Sequence, residues 1–252
     1  MKKIIISLFF LLPLMAAIPV HLFAQNAGDI LRKMDEQYAT IKDKQANVVM
    51  EMINNKTGKV KIRKALLKQK RPFKTLFLFT YPPSQAGIGT LSLPGGIVYL
   101  YMPAFGKPKK ISNLANSGSF SQSDFSTKDM GPRNWSKNYT ATILHTNDSA
   151  FILKLLPKNQ NESYSKLVVT VNKKYYFPQR ILYYNLQGNI SREANYQYER
   201  IGNLWTARVA SMTDFRKGHT TKIINSHIKL NQGLKDDDFT VKQLVLNAKK
   251  VK

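Results

Sequence analysis

The chain contains no cysteine. That removes disulfide frameworks, thiol catalysis, thiolate zinc sites and the acylated cysteine of bacterial lipoproteins. Acidic residues are scarce as well: 15 Asp and Glu stand against 39 Lys and Arg, a formal net charge of +24 over 252 residues. Of the few histidines, His145, His219 and His227 lie in strand-like stretches, and none has His-Glu-x-x-His spacing. No Gly-x-Ser-x-Gly elbow or P-loop is present, and Gly87-Ile88-Gly89 runs into a strand pattern, not a helix. The run Asp236-Asp237-Asp238 lacks the alternating ligands and glycine of a calcium loop and reads as the cap of a last helix. The sequence therefore predicts no catalytic residues, no metal and no cofactor, and a protein that is not an enzyme.

Long apolar runs are absent except at the start. Lys2 and Lys3 precede an apolar stretch from Ile4 to Ala17, and Leu22-Phe23-Ala24 offers a small residue for cleavage before Gln25. This order is that of a secretory signal. A membrane-spanning helix needs about 20 apolar residues, and Pro13, Pro19 and His21 interrupt this one too early. The expected organisation is a signal peptide over 1–24 and one domain over 25–252. Export argues against nucleic acid as the partner of the basic surface, leaving anionic membrane surfaces, acidic protein patches or a merely solvated exterior.

The periodicity predicts one helix and then strands. Ile30, Leu31, Met34, Tyr38 and Ile41 recur at helical spacing from Asp29, a candidate N-cap. From Val48 onward the pattern has period two, with turn signals about every ten residues. Phe73 to Tyr81 is apolar on both faces, and Gly89–Leu93 with Ile97–Met102 forms a hairpin around Pro94-Gly95-Gly96. The stretch from Ser112 to Trp135 is a long Ser-, Asn- and Gly-rich loop, the kind of segment that moves against a fixed sheet. Further strands follow from Thr140 to Leu230. So many meander strands cannot stay in one flat sheet. The expected fold is mainly β with helices (α+β): a strongly curved antiparallel sheet, an unclosed half-barrel, with the helix and the long loop against its concave face.

Several motifs resemble one family. Phe79-Thr80-Tyr81-Pro82-Pro83 leads to Gly89-Thr90-Leu91-Ser92-Leu93, then to Val98-Tyr99-Leu100-Tyr101-Met102-Pro103 and Lys109-Lys110-Ile111. Ser119-Phe120-Ser121-Gln122-Ser123-Asp124-Phe125 follows, and Asn231-Gln232-Gly233-Leu234 lies near the end. Together they resemble the outer-membrane lipoprotein-sorting protein family, the relatives of LolA and LolB. The chain departs from its pattern at Gln122, where the family usually has glycine.

The resemblance implies a periplasmic, non-enzymatic carrier that shields lipid or lipoprotein acyl chains under a helical lid, and a monomer is expected. It implies an apolar lining, for which Phe77, Phe79, Leu91, Leu93, Tyr99, Tyr101, Phe120 and Phe125 are candidates, with plain core packing as the competing reading for each. Ser123 and Asp124 are expected to structure the loop, Asp124 through bonds to backbone N–H groups. Lys109 and Lys110 are candidate contacts to an anionic partner, an envelope membrane or an exporter protein. An interaction or envelope-sensing accessory module of an exporter is the alternative function. If the signal is processed as expected, N-terminal sequencing of exported protein should begin at Gln25; an intact Met1 on the exported chain would refute it.

Overall fold

The computed structural model describes residues 26–111, 118–131, 133–159 and 162–251. The expected signal over 1–24 and part of the long loop lie outside the described residues. Two meanders build the fold. The first is β1 (Asp43–Asn54), β2 (Val60–Lys70), β3 (Lys74–Tyr81), β4 (Gly89–Leu93), β5 (Ile97–Tyr101) and β6 (Lys109–Ile111). The second is β7 (Tyr139–Thr146), β8 (Ala150–Pro157), β9 (Lys166–Asn172), β10 (Pro178–Tyr184), β11 (Ile190–Ile201), β12 (Leu204–Asp214) and β13 (His219–Leu230). Antiparallel pairing of β1 with β13 joins them into one thirteen-stranded sheet with β6 at one edge and β7 at the other. The sheet is unclosed.

Curvature follows from what the strands enclose. Val98 on β5 and Tyr196 on β11 bound the same cavity although seven strand steps separate them. In a flat sheet that separation would be about 34 Å, at about 4.8 Å per strand. The sheet therefore curls, and its inner face carries the main core. On β8 and β9, Phe151, Leu153 and Leu155 alternate with half-buried residues and meet Leu167, Val169 and Val171, all buried. Helix α1 (Ala27–Ala39) lays Ile30, Leu31 and Met34 on this core. Its cap is Asn26, whose side chain accepts from Gly28 N–H at 3.0 Å. The predicted cap Asp29 instead sits in the first turn, where a carboxylate favours the helix dipole, paired with Arg32.

The outer face of β3–β5 is covered too. Helix α4 (Val241–Val251) packs Leu244 and Ala248 against Leu76, Leu78, Leu91 and Tyr101. A Cβ on Gly89 would lie 2.8 Å from a Leu244 methyl, so glycine is what lets the helix approach the strand. The acidic run does not cap α4. It forms a 3-10 turn (Asp236–Phe239) in which Asp236 pairs with Lys70 and Lys74 at 2.7 and 2.9 Å, while Thr240 Oγ1 accepts from Gln243 N–H at 3.1 Å. Asp236 and Asp238 instead face Lys70, Lys74 and Lys68 on the basic strands β2 and β3, while a threonine serves the helix end. Among the described residues no helix is long and apolar enough to cross a membrane.

Truncating Leu244 to alanine would leave a void between α4 and the sheet. The expected cost is about 2–5 kcal/mol, read as a shift in the urea midpoint without a change of slope.

Candidate ligand cavity

Strands β6 and β7 are consecutive in the chain yet sit at opposite edges, and the described part of the connection between them packs on the concave side. Its described part includes the short helices α2 (Thr127–Met130) and α3 (Trp135–Asn138). Phe120 meets Phe77 edge-on at 5.1 Å, and Phe125 and Trp135 are buried in the main core. Between this crossing segment, α1 and the sheet lies a cavity of about 520 Å³. Volumes of roughly 300–1,000 Å³ are typical of small-molecule sites.

The cavity wall is mostly apolar inside, with the Asp129–Arg133 pair also lining it, and aromatic at its mouth. Val48, Leu67, Phe77, Phe120, Phe125 and Ile223 form its walls. The mouth lies at one end of the curled sheet, where β1 begins, β2 ends, β3 begins and β4 ends; Tyr38 and Phe73 line it there and remain exposed. Opposite them Phe177 stacks on Tyr198 at 3.9 Å, and Trp205 lies 5.8 Å from Phe177. Arg71 holds the end of α1 at this rim: it donates to the Tyr38 and Ile41 carbonyls, and its guanidinium lies 4.4 Å over the Tyr38 ring.

The predicted lining residues divide between the two faces. Phe77, Phe120 and Phe125 line the cavity, and Leu93 reaches its rim. Phe79 is on the inner face but is core, with the Arg63 guanidinium 5.7 Å over its ring. Leu91 and Tyr101 belong to the opposite face, buried under α4, and Tyr99 packs beside them. The reason is register: Leu91 pairs with Leu76 and Tyr99, so all three point the way Leu76 does, away from Phe77. Lys109 and Lys110 are exposed on the edge strand β6, Lys109 lying 5.2 Å over the Phe105 ring. Charges there also discourage another strand from adding to the edge.

The crossing segment is pinned by polar groups rather than left loose. Asp124 is buried and accepts from the Thr221 hydroxyl of β13 at 2.7 Å, while its own N–H donates to that oxygen at 3.0 Å. Among the described residues its carboxylate takes a hydrogen bond from that strand hydroxyl, and the His219 ring of the same strand lies 3.9 Å away. Ser123 is buried, and its carbonyl accepts from the Ser119 hydroxyl, closing the turn. Arg63 donates to the Ser121 carbonyl at 2.5 Å and to the Gln122 side-chain oxygen at 2.9 Å. Gln122 has φ +61°, the left-handed region that favours glycine. The family's usual glycine there has a physical reason, and the Arg63 bond offsets the strain in this chain.

Asp129 forms the strongest anchor. It accepts from Ser126 N–H and Oγ at 2.8 and 2.7 Å, from Tyr183 at 2.9 Å, and from Arg133 and Arg192 at 2.9 and 3.1 Å. Burial pushes its carboxyl up, but the two guanidiniums and the Ser126 bonds more than reverse this, leaving its pKa below the ordinary value. Desolvation raises the Tyr183 phenol well above its usual range. Asp35 of α1 accepts from Trp135 N–H at 2.7 Å and Ser136 N–H at 2.9 Å, tying α1 to α3. None of Asp35, Arg63, Arg133, Tyr183 or Arg192 was legible as a site residue, because their partners are distant in sequence. No group of residues able to hold a metal occurs among the described residues.

A family model described as "-like: Uncharacterized protein" matches residues 72–245. A domain from Vibrio parahaemolyticus assigned to outer membrane lipoprotein sorting superposes with a TM-score of 0.75 at 25% identity, covering 87% of this chain and 100% of that one. This chain belongs to the LolA-like family. Two further comparisons agree on the fold. A DUF1329 family protein from Desulfovibrio piger matches with a TM-score of 0.76 at 24% identity, over 86% of this chain and 97% of that one. A LolA superfamily protein from Nitrosomonas europaea matches with 0.68 at 22%, over 86% and 98%. No curated protein matches the sequence.

Removing the Asp129 charge strands two buried guanidiniums. Asp129→Asn should destabilise the fold by about 3–5 kcal/mol. Because the folded-state pKa is depressed, the wild-type contribution is present above the unfolded carboxyl value, about 3.9, and is lost as pH falls through the folded value. Chemical melts of both proteins should therefore converge on acidification below about pH 4.

Proposed function

We propose that this protein is a periplasmic, non-enzymatic carrier that shields acyl chains of lipids or lipoproteins within the cavity. The observation that carries the reading is a lined cavity, mostly apolar inside and open at one aromatic-rimmed end, in a domain whose Vibrio relative is assigned to outer membrane lipoprotein sorting. An acyl chain in water is unfavourable by about 0.8 kcal/mol for each CH₂ that could be buried. Phe77, Phe120, Phe125 and Val48 offer it a dry wall, and the open mouth allows release without unfolding the sheet. The pinned crossing segment keeps that wall from collapsing inward. The N-terminal secretory pattern supports export, and the basic surface suits transient contact with acidic envelope partners.

Native mass spectrometry of protein purified from the envelope without detergent should reveal retained acyl species. After delipidation, Phe77→Asp should weaken uptake of a fluorescent fatty acid by at least about tenfold, since an unpaired carboxylate would stand in an apolar wall. Wild-type protein that neither retains nor takes up acyl compounds would refute the carrier reading.

A further inference from the structure

The wall of the cavity carries a half-buried lysine whose ammonium has no carboxylate against it among the described residues. Lys44 begins the inner face of β1 at the mouth end, two inner-face positions before Val48. Its ammonium donates to the Thr206 hydroxyl at 3.3 Å, and no ion pair to it occurs among the described residues. Glu199 influences it from farther off but is already paired with Arg208 at 2.9 Å. The neighbouring cations are engaged. Lys70 and Lys74 hold Asp236, Arg71 holds the end of α1, and Arg133 holds Asp129. Lys42 stands out in water.

A half-buried ammonium facing one neutral hydroxyl is a costly residue to keep. Desolvation lowers its pKa to about 8, with Glu199 pulling the other way. Methionine or leucine would fill the space without that penalty. The surroundings also have a direction. From Lys44 and Thr206 at the mouth end, the lining passes to Val48, Phe77 and Phe125 inside, while Phe177, Tyr198 and Trp205 flank the entrance. That order of charge, aromatic belt and apolar wall matches an acidic head group followed by a tail.

Resting on the carrier reading, we propose that Lys44 with the Thr206 hydroxyl is a head-group subsite, and that the ligand is an anionic amphiphile. Its carboxylate or phosphate pairs with Lys44 at the mouth while its acyl chain runs inward past Val48. A charge-assisted bond of this kind distinguishes an acid from a neutral compound with the same tail. Thr206 presents its hydroxyl beside the ammonium and supplies a second donor to the same oxygens.

The test uses delipidated full-length mature protein and four probes in two pairs. Palmitate is compared with hexadecanol, and lysophosphatidate with a monoacylglycerol of the same chain, by calorimetry at pH 7. Wild-type protein should bind at least one acid about tenfold or more tighter than its neutral partner. The pair with the larger ratio tells carboxylate from phosphate. Lys44→Met should lower acid binding to the neutral level, leave neutral binding unchanged, and melt at or above the wild-type temperature; Lys44→Arg should retain the preference. Equal binding of acid and neutral probes by wild type, or a preference that survives in Lys44→Met, overturns the subsite and leaves the carrier reading standing. Failure of all four probes to bind wild type overturns both.

Discussion

The open sheet imposes the constraint on which the rest depends. Strands β6 and β7 follow one another in the chain but end at opposite edges, and the described part of their connection lies over the concave side. A closed barrel of the same strands would need no such crossing and would fill its interior with side chains. Here the crossing segment and α1 hold an unfilled space against the inner face. The segment is short of regular structure, and its stability has to come from the sheet beneath it. Its anchors to the sheet, Arg63, Thr221, Tyr183 and Arg192, are inner-face residues of four different strands, and Asp35 of α1 holds its α3 end.

Those anchors are polar for a physical reason. Apolar packing is non-directional, and a segment held only by apolar contacts would settle onto the sheet and close the cavity. Hydrogen bonds and ion pairs fix a distance. The Asp129 cluster has two guanidiniums for one carboxylate, and its net energetic gain over a well-packed apolar substitute is small, since buried charge is costly to desolvate. What it supplies is position: α2 is held at a set height over β10 and β11, which leaves room beneath for Met130 and Phe125 to face the cavity. Asp35 does the same between α1 and α3.

Much of this architecture was legible in the residue pattern. Period-two alternation with frequent turns located the strands, and their number required curvature. The side of the sheet facing the cavity was harder to read. Strand β3 is apolar on both faces, which signals that both are covered but does not say by what. Leu76 and Leu78 lie under α4, whereas Phe77 faces the cavity. Assigning Leu91, Tyr99 and Tyr101 to the cavity failed because the pairing of β4 with β3 puts them in line with Leu76, and pairing register is a long-range property. A fuller reading of Leu244 and Ala248 as one apolar helix stripe would have supplied the missing cover for that face. The anchors were hidden for the same reason, since Asp129 and Arg192 reveal nothing of each other at their separation in sequence.

Charge placement completes the argument. The excess of lysine is mostly outside, on the edge strand β6 and on the outer face of β2, where water screens it and where it guards an open edge. Lys44 differs because the same residue type sits where screening is weak and a counter-charge is lacking. A carrier must also let go, and a wholly apolar pocket binds in proportion to the area it buries, with little means of adjustment. A single cation at the rim would add a term that depends on the head group alone. Binding could then be selective without being deep, and release could follow from an acceptor that competes for the head group first.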